Sequence, residues 1–163
     1  MKKKLLAMLV LPLAAMAMVS CGGDKEETKT EAPKTEVTAD AKAEYKDGTF
    51  EAETKDADEN GGKARVSVKI EGGKIASATY NEFTDKGDKR TDEGYNKMMK
   101  EKAGTSPSEY EVKIEEQVKE AQSSDIDGVS GATSSSAKAK SLFAAALENA
   151  KEGKAEKVMV EVK

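Results

Sequence analysis

The stretch of this sequence best suited to chemistry is residues 127–136, a run of small and hydroxyl-bearing residues that leads directly into a helical pattern. That pattern extends from residue 137 to about residue 151. Small residues allow the main chain to approach a ligand closely. The start of a helix offers unpaired N–H groups and the positive end of its dipole to an anion. The stretch therefore predicts a cradle for a phosphate or another anion, with Thr133 as the hydroxyl best placed to meet it.

Asp127, followed by Ser130-Gly131-Ala132-Thr133, resembles the D-x-x-[ST]-G-A-T signature of FMN-binding domains. In that family, a flavin transferase joins the phosphate of FMN to the hydroxyl of the last threonine as a phosphoester. The resemblance implies covalent FMN on Thr133, with Ser134 and Ser135 as less favoured alternative acceptors. The cofactor's phosphate would be bound among Ser130, Gly131, Ala132, Ser134 and Ser135. Gly131 and Ala132 would leave room for the ribityl phosphate, and the serines from Ser134 to Ser136 would cap the helix and donate hydrogen bonds to phosphate oxygens.

Asp127 has a different role in the family signature. A carboxylate would repel the phosphate dianion, so we do not expect Asp127 to contact it directly. The resemblance makes Asp127 part of what the flavin transferase recognises, where an acidic side chain could help to hold Mg²⁺ during transfer. No catalytic residue and no metal ligand of the protein itself is expected.

The family also implies a function. It includes the flavin-bearing subunits of Rnf-type and sodium-translocating NADH:quinone reductase complexes, and small Gram-positive lipoproteins of extracellular electron transfer. This chain looks most like the lipoproteins, from about residue 45 to the C-terminus. The resemblance implies an electron carrier rather than a stand-alone enzyme. Its electron donor would be a membrane quinone or NADH dehydrogenase, and its acceptors would be extracellular compounds or partner reductases.

Composition limits the chemistry of the 163-residue chain to what a small aliphatic domain can do. The sequence is 36% charged and 4% aromatic with no Trp, which predicts one small domain with a modest core. The net charge of -4 argues against nucleic acid as a partner. The absence of His removes Ser-His-Asp and Cys-His nucleophile systems and His-ligated zinc. A single Cys excludes an internal disulfide and an iron–sulfur cluster, so redox chemistry would require a bound cofactor.

The first 20 residues have the pattern of a lipoprotein signal peptide. Three lysines follow Met1, an apolar segment extends from residue 5 to residue 19, and Cys21 stands at the expected cleavage point. The segment is short for a transmembrane span. We expect lipidation of Cys21, with acyl chains such as palmitate, to anchor the protein on the extracytoplasmic face of the membrane, exposed to the cell wall. The alternative is an ordinary signal peptide with a spare Cys.

Residues 21–44 then form the lipidated Cys and a tether, and residues 45–163 form the FMN-binding domain. The tether is rich in Lys, Glu, Thr and Ala and nearly lacks large apolar residues, which predicts disorder. As a flexible coil its mean reach is about 25 Å. It would let the domain meet partners in the cell wall, although a passive stalk would have the same composition.

Strands are predicted near both ends of the domain. Alternating apolar residues predict strands over residues 49–53, 65–71 and 75–83, the last two joined by a Gly72-Gly73 turn, and a final strand over residues 158–162. Residues 55–62 imitate half of an EF-hand loop, but we interpret them as a hairpin loop without calcium, because the twelfth position is Ser67. Tyr80 and Phe83 could flank a flavin ring or pack in the core.

Three helices are predicted between the last two strands. The first covers residues 92–103, where Met98 and Met99 could touch a ligand but are predicted to pack in the core. The second begins at Ser106 with a capping box to Glu109. The buried faces of the second and third helices are predicted to carry Tyr110, Ile114, Val118 and Ala121, and Ala139, Leu142, Phe143, Ala146 and Ala150, with Gly153 as the final cap. The order of elements predicts an α+β fold, a small antiparallel sheet packed with about three helices.

Two other functions are compatible with parts of the sequence. A non-redox surface lipoprotein, such as an antigen, an adhesin or the precursor of a signalling peptide released from the leader, would share the N-terminal features. A serine hydrolase is suggested by residues 128–132, which nearly match G-x-S-x-G, but the last position is Ala132 and the chain has no His to act as base.

Overall fold

A five-stranded sheet is the frame of the part of the chain that the structure describes, residues 45–162 of a computed structural model. The order across the sheet is β4-β3-β2-β1-β5. The strands are β1 (Gly48–Thr54), β2 (Lys63–Glu71), β3 (Lys74–Thr84), β4 (Gly87–Asp88) and β5 (Val158–Val160). Three helices accompany the sheet, which confirms the α+β prediction. The predicted signal peptide, the lipidation of Cys21 and the tether fall on residues 1–44, outside the described residues.

The sequence alternation produces one buried face on β1, β2 and β3. Val66, Val68 and Ile70 of β2 are at most 1% exposed, and Ile75 and Tyr80 of β3 are at most 2% exposed. The turn between these strands uses two glycines with φ of 59° and 73°, the left-handed values that a tight hairpin requires. The antiparallel β1–β2–β3 meander was therefore predicted correctly. The two-residue β4 was not predicted, because it lies within a charged loop.

The sheet is mixed rather than antiparallel, because β5 pairs with β1 in parallel. The last helix ends beside the start of β1, where the Lys46 N–H donates to the Ala150 carbonyl at 2.9 Å and the Lys46 Nζ donates to the Glu152 carbonyl at 2.9 Å. The chain re-enters the sheet from that end and runs in the same direction as β1. Alternation reveals which residues face inward but carries no information on strand direction, so this part of the prediction was wrong.

Helix α1 (Glu93–Ala103) lies on the surface. Asp92 caps it by accepting the Tyr95 N–H at 2.9 Å, and Gly104 ends it. None of its residues is buried, and Met98 is 37% exposed, so the prediction that Met98 and Met99 pack in the core was wrong. Lysines and glutamates occupy five of its 11 positions, and the helix has no continuous apolar stripe to bury.

Helix α2 (Pro107–Ala121) buries Tyr110, Ile114 and Val118 as predicted, whereas Ala121 is exposed. The predicted capping box is absent. The Ser106 hydroxyl pairs with that of Ser108 at 3.0 Å, and Glu109 is held by Lys100 at 2.6 Å, so neither side chain caps the helix. The ion pair with Lys100 holds the Glu109 carboxylate away from the backbone N–H that it would accept in a capping box.

Side chains of α2 cover the edge of the sheet at β3. Glu115 accepts the Tyr80 N–H at 3.0 Å, and Glu111 accepts the Glu82 N–H at 3.0 Å. Arg90 joins the two carboxylates, 2.6 Å from Glu111 and 2.5 Å from Glu115. Burial raises the pKa of Glu111 to about 7, against the opposing hydrogen bond from Arg90. The two carboxylates thereby accept backbone N–H groups of β3 that would otherwise lack partners along an open strand edge.

Helix α3 (Thr133–Glu152) packs across β1 and β2. All five residues predicted for its inner face are buried, together with Leu147, and Gly153 ends it with φ of 73° as predicted. The helix begins at Thr133, four residues earlier than the pattern indicated, so Ser134 and Ser135 belong to its first turn. Within residues 45–162, no helix is long and apolar enough to cross a membrane.

Candidate functional site

The predicted attachment residue opens onto a cleft. Thr133 is the first residue of α3, and its side chain is exposed. The cleft has a volume of about 840 Å³, within the range of roughly 300–1,000 Å³ that small-molecule sites occupy. One wall is the outer face of α3, and the other is the β1–β2 loop with Thr54, Glu161 and Val162. The α3 residues that line it are Thr133, Ser134, Ala137, Lys138 and Ser141.

The first turn of α3 leaves backbone donors free beside Thr133. The N-cap is Ala132, which has no side chain that could cap the helix. Within the described part of the chain, the N–H groups of Thr133, Ser134 and Ser135 meet no hydrogen-bond acceptor. A helix start with free N–H groups favours an anion by hydrogen bonding and by its dipole. The cleft therefore offers a hydroxyl and several donors at one point, which fits the phosphate end of FMN.

The predicted site residues do not all face this point. Asp127 and Ser130 are exposed on the loop that precedes α3, Ser134 is exposed on the cleft wall, and Ser135 is half-buried beside the Glu82 carboxyl. The structure brings Thr133 and Ser134 together in the cleft. The contacts predicted for the other residues with a bound phosphate stay predictions.

The small residues of the motif have a packing role. Gly131 has φ of 77°, and a Cβ built on it would lie 2.2 Å from the Ala103 carbonyl oxygen at the end of α1. Ala132 is 6% exposed, and its side chain belongs to the hydrophobic core. Contact with α1 and the core therefore requires both residues to be small, independently of any room that they leave for a ligand.

Ser136 is committed to the motif loop rather than to a ligand. It is 2% exposed, accepts the Val129 N–H at 2.9 Å and donates to the Ala132 carbonyl at 2.9 Å. Neither Ser136 nor its serine neighbours cap α3, because the helix begins before them, so the predicted capping was wrong. The Ser136 hydroxyl instead fixes the loop against the first turn of the helix.

A charge cluster that sequence reasoning missed crosses the cleft. Lys138 of α3 contacts Asp58 of the β1–β2 loop at 2.8 Å and Glu82 of β3 at 3.5 Å, and Lys89 contacts Glu82 at 3.0 Å. Burial opposes ionisation of Asp58, but the Lys138 hydrogen bond and the Gly62 N–H outweigh it and lower its pKa to about 2. The only signal in the sequence was Glu82 itself, a charge at an inward position of the β3 alternation.

Gly62 lies at the centre of this cluster. A Cβ on Gly62 would lie 2.7 Å from the Lys89 Nζ and 3.0 Å from an Asp58 carboxylate oxygen. Asp58 also accepts the N–H groups of Asn60 and Gly62, at 3.0 and 2.8 Å. In the loop that imitates an EF-hand, Asp58 therefore pairs with Lys138 and with two backbone N–H groups of the loop itself.

The two aromatic residues considered for ring contact differ in position. Tyr80 is fully buried and donates its hydroxyl to Glu82 at 2.6 Å, so it packs in the core and presents no surface to a ligand. Burial and the Glu82 charge raise the pKa of Tyr80 well above its ordinary value. Phe83 is half-buried with Arg65 5.3 Å above its ring, and it does not line the cleft.

Comparison with known proteins supports the family relationship. The model of the FMN-binding domain family matches residues 60–148, more than half of the chain. The crystal structure of a protein from Clostridium perfringens is similar at 45% identity and a TM-score of 0.71, over 73% of this chain and 99% of that one. A solution structure from Clostridium thermocellum is 27% identical over 72% of this chain and 98% of that one, with a TM-score of 0.37.

A search of curated proteins found no match to this chain. The family model covers the cleft loop from Asn60, the charge cluster on β3 and the Asp127–Thr133 motif, and it continues through most of α3. The matched region therefore includes the residues that sequence reasoning selected for an anionic ligand. This chain belongs to the FMN-binding domain family.

Proposed function

We propose that this protein is an extracytoplasmic, lipid-anchored electron carrier that holds FMN covalently, as a phosphoester on Thr133. The observation that carries the proposal is the exposed Thr133 hydroxyl at the mouth of the cleft, next to free N–H groups at the start of α3. Bound flavin supplies redox chemistry, because it can accept two electrons together and release them singly. The chain has no His and one Cys, so its own side chains offer little redox chemistry.

The residues around Thr133 would bind and orient the cofactor. The N–H groups of the first turn and the Ser134 hydroxyl are the donors for phosphate oxygens, and Ala137 and Ser141 leave space along the outer face of α3. Asp127, exposed ahead of the helix, is available to a flavin transferase. A covalent bond suits a carrier outside the cytoplasm, where a dissociated cofactor would diffuse away.

The N-terminal segment provides the proposed location. Lipidated Cys21 would hold the protein at the membrane, and residues 22–44 would let the domain move between a membrane donor and acceptors in the cell wall. A membrane quinone or NADH dehydrogenase is the proposed donor, and extracellular compounds or partner reductases are the proposed acceptors.

The test is to co-express the protein with a flavin transferase and to measure its intact mass and visible spectrum. We expect a mass gain equal to FMN less one water, with flavin absorbance that remains after denaturation. Thr133→Ala should abolish both, whereas Ser134→Ala, a matched loss of an exposed hydroxyl in the same turn, should retain the adduct. An unmodified wild-type protein would overturn the covalent carrier and favour a non-redox surface lipoprotein.

A further inference from the structure

The cleft at Thr133 is acidic apart from one cation. Its described lining contains four carboxylates, Asp56, Asp58, Glu59 and Glu161, and its one cationic side chain is Lys138. Reduction of a flavin ring takes two electrons from the donor and one proton from water, and leaves a net negative charge on the N1 side of the ring. Carboxylates near the ring would oppose that change, and a cation would favour it.

Lys138 lies where it can meet the ring. Thr133, Ser134, Ala137, Lys138 and Ser141 line the cleft from the outer face of α3. Lys138 is five residues after Thr133, about 7.5 Å along the helix axis. If FMN is joined to Thr133, a ribityl chain that follows this wall would bring the flavin ring toward Lys138. The Lys138 side chain is 13% exposed, and its contact with Asp58 joins the two walls of the cleft.

The contacts of Lys138 allow it to change partner and stay charged. Asp58 belongs to the opposite wall and its side chain is 31% exposed, whereas Glu82 lies behind Lys138 and is 3% exposed. If the Lys138 Nζ turned from Asp58 toward a ligand, Glu82 would still compensate its charge. Lys89 is less suited, because it contacts the buried Glu82 directly and does not line this cleft.

We propose that Lys138 is a positioning and potential-setting residue that exchanges its contact with Asp58 for the N1 and C2 carbonyl edge of the bound flavin and so stabilises the reduced ring. The inference rests on the proposed function, since it requires FMN on Thr133. Lys138 would then be the side chain that determines whether the cleft raises or lowers the midpoint potential of the flavin.

The experiment measures the midpoint potential of the flavinylated protein by dye-equilibrated titration with dithionite. Lys138→Gln should lower the potential, by about 30 mV if the charge accounts for a tenfold preference for the reduced ring in a two-electron couple. Lys138→Arg should retain most of the wild-type value. Asp58→Asn removes a negative charge and frees Lys138, so it should raise the potential. A general loosening of the cleft would not shift the potential upward in this variant and downward in Lys138→Gln.

Lys140→Gln is the matched control, since Lys140 is on the same helix but pairs with Asp125 at 3.7 Å on the surface. Equal potentials in Lys138→Gln and the wild type, or shifts of one sign in Lys138→Gln and Asp58→Asn, would overturn the inference. If Lys138→Gln does not fold, Asp58→Asn is compared with Asp56→Asn, which removes a carboxylate of the same cleft lining that makes no ion pair with Lys138. A larger rise of the potential in Asp58→Asn supports the inference, and equal rises would overturn it. Intact mass is recorded on every sample, so failure of attachment is distinguished from an unchanged potential on attached flavin.

Discussion

Replacing Gly131 by Ala should destabilise the fold even though the residue lies in the flavin motif. The left-handed φ of 77° costs a residue with a Cβ about 1–2 kcal/mol. The new methyl would lie 2.2 Å from the Ala103 carbonyl oxygen, and overpacking of this kind costs about 1–3 kcal/mol. We therefore expect the free energy of unfolding to fall by about 3 kcal/mol, a large part of the total stability of a small domain.

The assay is urea unfolding of the protein without flavin, followed by circular dichroism. Gly128→Ala is the matched control, because no atom lies within 4 Å of the Cβ that it would add, and it should change the free energy of unfolding by less than about 0.5 kcal/mol. Equal stabilities of the two variants would refute the packing role. If the prediction holds, loss of flavin in Gly131→Ala says nothing about contact between Gly131 and the phosphate.

Three further predictions concern the polar contacts of the fold. Arg90→Met should cost about 3 kcal/mol in urea unfolding, because it leaves the Glu111 and Glu115 carboxylates without their cation. Ser136→Ala should cost about 1–2 kcal/mol in the same assay, because it leaves the Val129 N–H without its acceptor. The Asp58 carboxyl, whose pKa falls from 3.8 to about 2 on folding, should make the protein less stable as pH decreases from about 4 to 2, by about 1 kcal/mol after solvent screening.

Each of these has a matched comparison. Arg90→Lys should recover part of the loss, because it restores the charge without the forked geometry. Ser134→Ala should leave stability unchanged within about 0.5 kcal/mol, since Ser134 is exposed. Asp58→Asn should flatten the pH dependence below pH 4, and an unchanged slope in that variant would contradict the role given to the Asp58–Lys138 pair.

The sequence was sufficient for the meander and for the buried faces of α2 and α3, because these depend on periodicity within a single element. It was insufficient for the direction of β5, which is determined by where α3 ends beside Lys46. The start of α3 was placed too late because serines favour loops and caps in isolated sequence, whereas here the Ser136 hydroxyl anchors the motif loop within the first helical turn.

The sequence indicated the candidate site only in part. The motif identified the family and predicted Thr133, which lines the cleft, as the attachment residue, since the spacing of the signature is local. The contacts among Asp58, Lys138 and Glu82 join a loop, a helix and a strand that are 24 to 80 residues apart in the chain, and no local pattern relates them. The packing requirement for glycine at position 131 could not be predicted either, because it arises from the Ala103 carbonyl oxygen at the end of another helix.

The central claim is tested most directly by locating the flavin within the chain. The protein, co-expressed with a flavin transferase, is digested, and the fluorescent peptide is fragmented by mass spectrometry. We predict FMN less one water on Thr133, and on neither Ser134 nor Ser135. An adduct on one of these serines, or the absence of any flavin-bearing peptide, would contradict it.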